Sequence, residues 1–70
     1  MTDIKRIKRI MDDMDISTPK LAEMMYMSTP TMYSRLKGKS EFKADEMARL
    51  SEILMLSTDE MLEIFFGRGK

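Results

Sequence analysis

The segment from Ile16 to Lys39, ISTPKLAEMMYMSTPTMYSRLKGK, repeats one phrase: an apolar residue, Ser-Thr-Pro, any residue, then another apolar one, eleven positions apart. The phrase has a physical meaning. A serine hydroxyl accepts from the unpaired amides of a helix's first turn, and a proline there loses an amide that had no partner anyway. Ser17 and Ser28 therefore predict two helix starts, with Pro19 and Pro30 in the first turns. The pairs Ile16 with Leu21 and Met27 with Met32 stand where a hydrophobic staple fixes the entry angle of the chain. A helix that begins near Thr18 must end before Met27, so two short helices meet at a sharp corner. The second runs from Thr29 to about Lys37 and stops at Gly38, suited to a left-handed cap.

The rest of the chain reads as helix as well. Ile4, Ile7, Met11 and Met14 form one stripe at 3,4,3 spacing, with Lys5, Arg6, Lys8, Arg9, Asp12 and Asp13 off it. LSTDEM, Leu56 to Met61, is a third copy of the start signal, with Ser57 and Glu60 as a capping box. A fourth helix is predicted over roughly Ala44 to Met55, burying Met47, Leu50 and Leu54 with Ala44, Ala48 and Ser51 as small contacts. The fifth is predicted over Thr58 to Phe66, and KGKSEF is a loop. No segment alternates with period two. The expected fold is all-α, a compact five-helix bundle in one domain over residues 1–66, with 67–70 a flexible tail.

Composition narrows the function. The chain has neither cysteine nor histidine, which removes disulfides, thiolate or imidazole metal sites and Ser-His or Cys-His catalysis. No cofactor, no metal and no small-molecule ligand is expected. The abundant carboxylates Asp12, Asp13, Asp15, Asp45, Glu46, Asp59 and Glu60 are accounted for by solvated faces and N-terminal turns, so an enzyme is not expected. With no long apolar run, no membrane association is expected, and the chain reads as soluble and cytoplasmic. Net charge is zero, but residues 1–43 carry net +3 and residues 44–70 net −3. Zero net charge argues against a chain that binds polyanions over its whole surface; the split predicts a bipolar molecule, although half of any charged surface is positive by chance.

A tight corner between a second and a third helix is the arrangement that lets the third enter the DNA major groove. From Ile4 to Phe66 the chain resembles the Cro and repressor type of helix-turn-helix protein, lambda-repressor-like in fold. Leu21, Ala22, Met25, Met27, Ser28, Thr31, Met32, Gly38-Lys39 and the later LSTDEML carry the resemblance, and TMYSRLKGKSEF is similar to a phage-associated subset. It implies a double-stranded DNA operator as partner. Thr29, Thr31, Tyr33 and Ser34 would face base edges beside Pro30, and Thr18 would touch a phosphate. Lys37, Lys39 and Lys43, with Arg35, would hold the flanking backbone. Each has a plainer reading: Ser28 as a cap, Thr29 and Ser34 as surface polars, Tyr33 lying on Lys37, Lys39 and Lys43 as solvated charges. Lys43 precedes helix four, where the family places Ser or Thr and where a cation opposes the helix dipole. Two departures stand out. Tyr26 occupies the corner position of the family's glycine, so a different turn or a helix two one residue longer is an open alternative. Arg35 stands where many members bury Ile or Trp, which leaves the rotation of helix three open by one residue.

Residues without a sheet or a catalytic role still need partners. Ten methionines sit mostly at core spacing, but Met61, Leu62, Ile64, Phe65 and Phe66 surround helix five more fully than a one-sided core requires. A homodimer through Met61, Leu62, Phe65 and Phe66 is the expectation, since two-fold dimers read paired half-sites. The functional expectation is a sequence-specific transcriptional regulator, a Cro-like repressor of phage or prophage type. The other reading is a protein-interaction module, or an antitoxin or accessory operon regulator, using the Met and Phe surface.

Overall fold

Serine starts three of the five helices as the sequence predicts. The computed structural model describes residues 1–67, with α1 Ile4–Asp13, α2 Thr18–Met24, α3 Thr29–Leu36, α4 Ala44–Ile53 and α5 Thr58–Phe66, and no strand among the described residues. The hydroxyls of Ser17, Ser28 and Ser57 accept from the amides of Lys20, Thr31 and Glu60 at 3.2, 3.2 and 3.1 Å. Asp3 does the same for α1 through Arg6. The Glu60 carboxylate returns a bond from the Ser57 amide at 2.8 Å, which completes a capping box on α5.

The helices also end alike. Asp15, Tyr26 and Met55 have φ of 59°, 57° and 54°, and Gly38 has 77°. After each, the next amide reaches back five residues: Ile16 to Met11 at 2.8 Å, Met27 to Ala22 at 2.9 Å, Leu56 to Ser51 at 2.9 Å and Lys39 to Ser34 at 3.0 Å. This is the Schellman closure, in which a left-handed residue lets the chain satisfy the last carbonyls of a helix. Three corners, α1–α2, α2–α3 and α4–α5, are thus one unit: a left-handed residue, an apolar residue and a serine cap. Tyr26 takes the conformation that glycine would take, and α2 stops at Met24. The turn is the ordinary one, carried by a residue for which left-handed backbone costs roughly 1–2 kcal/mol.

The core draws on every helix: Ile7 and Met11, Leu21, Ala22 and Met25, Met32 and Leu36, Leu50 and Leu54, Ile64 and Phe65. Ala22 is 1% exposed at the crossing of α2 with α3, where a larger side chain would push them apart. Of the methionines, Met11, Met25 and Met32 are buried and Met14, Met27, Met47 and Met61 pack against the core, so most of them serve packing. α1 and α5 are joined by the Asp3 amide donating to the Ile64 carbonyl at 2.7 Å and by Arg6 Nη1 on Glu63 at 2.7 Å. The radius of gyration, 11.1 Å, equals that of a compact domain of this length, about 11 Å.

Four details differ from the sequence reading. Ala44 and Ala48 are exposed, and α4 packs through Met47, Leu50, Ser51 and Leu54 instead. Phe42 lies in the predicted loop but belongs to the core, a place not predicted for it, with its ring edge-on to Phe65, centroids 5.9 Å apart. Gly67, read as tail, is the left-handed cap of α5, and residues 68–70 of that expected tail lie outside the described residues. Phe65, expected at a dimer interface, is 3% exposed within its own chain and cannot meet a partner without unfolding α5 from the core.

Candidate nucleic-acid interface

The outer face of α3 is open. Thr29, Pro30, Tyr33, Ser34, Lys37 and Lys39 line one shallow depression on it, and α4 and α5 contribute none of its lining. Pro30, Tyr33, Lys37 and Lys39 are exposed, while Thr29 and Ser34 are half-buried at its floor. The opposite face of the same helix sends Met32 and Leu36 into the core. That division settles the rotation of α3: Thr29, Tyr33 and Lys37 follow at i, i+4 and i+8 along the outer side. Ser28 is committed locally, accepting from the Thr31 amide and donating to Thr31 Oγ1 at 2.8 Å, so both side chains serve the cap. Thr18 stands at the first position of α2, half-buried.

Arg35 has a different place from the one its charge suggests. Its Nε and Nη2 meet the two oxygens of Glu46 at 2.9 and 3.2 Å, and its Nη1 donates to Ser40 Oγ at 2.6 Å. The paired side chains are 12% and 14% exposed, so the guanidinium lies in the α3–α4 seam instead of facing a groove. The Arg35 hydrogen bond holds the Glu46 carboxyl below the usual glutamate range, helped by the Lys43 amide, which donates to the same carboxylate at 2.9 Å. Lys43 itself caps α4 with only its backbone, because an ammonium side chain has no acceptor to offer. Lys43 is exposed, but it is not among the residues that line the α3 depression with Lys37 and Lys39. Glu46 stands in the N-terminal turn of α4 as expected, but its carboxylate is spent on Arg35 in the seam, and Ser40 carried no expectation beyond the loop. A Glu three residues after the expected cap at Lys43 was the available signal.

Residues 6–66 match the family model of the Cro/C1-type HTH DNA-binding domain, nearly the whole chain. The protein belongs to that family. Comparison with curated proteins and with solved structures finds no match. As a Cro/C1-type domain the chain is a DNA-binding regulator, and α3 is the helix whose outer face lies open while α2 packs beneath it. No helix among the described residues is long and apolar enough to cross a membrane.

Part of the remaining apolar surface of this Cro/C1-type domain lies on α5. Met61 and Leu62 are half-buried, Met61 packing on the core, and Phe66 is 57% exposed one turn after Leu62. At the α2–α3 corner the exposed ring of Tyr26 carries Arg49 of α4, 5.0 Å from its centroid, a cation–π contact that braces the strained turn.

Proposed function

We propose that the protein is a sequence-specific, Cro-like repressor of phage or prophage type that occupies a double-stranded operator and blocks its promoter. The observation that carries this reading is the open face of α3, where hydroxyls and an aromatic ring are framed by Lys37 and Lys39. Thr29, Tyr33 and Ser34 read base edges, Pro30 fills against them, and Thr18 meets a phosphate at the start of α2. Lys37, Lys39 and Lys43 hold the flanking backbone. Ser28 and Thr31 act through the cap that sets the start of α3, and Arg35 acts through the seam that sets its end.

One reading head with three free lysines binds weakly, so the operator is read by a homodimer. Leu62 and Phe66, with the edge of Met61, supply its interface, and two half-sites lie on the order of 34 Å apart. Selection from a random duplex pool tests the proposal: enrichment of a palindrome with that spacing is the expected result. A folded protein that enriches no sequence removes it.

A further inference from the structure

Ser34 ends a chain of hydrogen bonds that begins at the partly buried carboxylate of Glu46. Glu46 grips Arg35, Arg35 Nη1 donates to Ser40 Oγ at 2.6 Å, and the Oγ atoms of Ser40 and Ser34 are 2.9 Å apart. Two directions are open to that last bond, and the cation decides between them. A guanidinium N–H on Ser40 oxygen polarises its O–H and makes it the better donor, and chains whose donors all run one way strengthen each other. Ser40 therefore donates to Ser34. The Ser34 oxygen is occupied on that side, and its own proton is free to leave the seam toward the depression it lines with Thr29, Tyr33 and Lys37.

We infer that Ser40, polarised by Arg35, fixes Ser34 as a hydrogen-bond donor to a base edge, so that one position of the operator is read as an acceptor. In the major groove the acceptors are N7 and O6 of guanine, N7 of adenine and O4 of thymine, while the amino group of cytosine is refused. Ser40 is a positioning residue: it acts on DNA through Ser34 and touches none itself. The inference deepens the DNA-reading assignment above and rests on it. It also gives the partly buried pair a use beyond packing, since a pair of hydrophobic residues would hold α3 to α4 without orienting a hydroxyl.

The experiment uses the full chain, with the duplex enriched by the wild type and its single-base-pair variants as probes. Ser34→Ala and Ser40→Ala should each relax the preference at the same base pair, by about 3- to 10-fold as for one neutral hydrogen bond. The double variant should lose no more than Ser34→Ala alone, and Ser40→Thr, which keeps the hydroxyl, should preserve the wild-type pattern. If Ser40→Ala does not fold, Ser40→Cys, close in volume and a much weaker donor, must show the same loss. Equal weakening by Ser40→Ala on every duplex would reduce Ser40 to a structural role and overturn the inference. So would an intact preference in Ser40→Ala where Ser34→Ala relaxes it, or an even loss in Ser34→Ala, which places the hydroxyl on a phosphate. A wild type that enriches no site fails earlier, at the DNA-reading assignment, and takes the inference with it.

Discussion

Asp15, Tyr26 and Met55 hold a backbone conformation that glycine would hold without steric cost. Met55 is 77% exposed, so its side chain gains little by burial while its Cβ meets the carbonyl that follows. Met55→Gly is therefore expected to stabilise the domain by about 1 kcal/mol, raising the thermal midpoint by roughly 4–8 °C in a scan. Tyr26→Gly should gain less, because it also forfeits the contact with Arg49, worth about 0.5–1 kcal/mol at an exposed site. Glu46 is the residue whose charge matters most. Its carboxyl is held below the usual range by Arg35, so its electrostatic contribution is full above an unfolded pKa of about 4.3 and is lost as pH falls through the lower folded value. The stability difference between wild type and Glu46→Gln should be constant near neutrality and shrink below about pH 4. Glu46→Ala leaves a partly buried guanidinium without its carboxylate and should cost about 1–3 kcal/mol, a sizeable share of the ~4–10 kcal/mol such a chain holds. A Glu46→Ala domain that melts with the wild type at pH 7 would show the pair to be inert.

At the scale of elements, starts and stops were the most legible part of the molecule. Ser17, Ser28 and Ser57 announce helices because a hydroxyl acceptor at that point has a local purpose that needs no knowledge of the rest of the fold. Gly38 announces an end for the same reason. Tyr26 and Met55 end helices just as sharply, but nothing local favours them there, and only the closure of the whole corner selects their conformation. Helix faces were legible where apolar spacing is one-sided, as in α1. In α5 they were not: Ile64 and Phe65 turn inward and Phe66 outward, a rotation set by Phe42 and by the union with α1. Neighbouring phenylalanines should therefore behave oppositely. Phe65→Ala is expected to cost about 3–5 kcal/mol and lower the melting midpoint sharply, whereas Phe66→Asp should leave the melting curve nearly unchanged and weaken self-association. Sedimentation across a concentration series reads the second effect. A Phe66→Asp protein that dimerises like the wild type would move the interface away from α5.

On the whole molecule the charges divide by task. Arg6 is paired with Glu63 and Glu60 at the α1–α5 surface and Arg35 with Glu46 in the α3–α4 seam, while Lys37 and Lys39 are exposed on the α3 face and Lys43 is exposed at the start of α4. The sequence shows twelve positive residues but not which of them are already paired, and that is why Arg35 was legible as a cation and not as a strut. Neutralising three phosphates per head implies a slope of log affinity on log salt of about −2.7 per monomer, each lysine supplying about −0.9. Lys39→Glu should flatten that slope by about one and weaken all duplexes alike, and a salt-independent affinity would count against a backbone role.

The bond from the Asp3 amide to the Ile64 carbonyl ties the first helix to the last. During synthesis the three corners can close as soon as each emerges, because each is made within a few residues, but α1 has no lasting seat until α5 arrives. Commitment to the native state therefore waits for α5. A chain cut before Thr58 would carry an α3 that forms and melts, its outer face presented only part of the time.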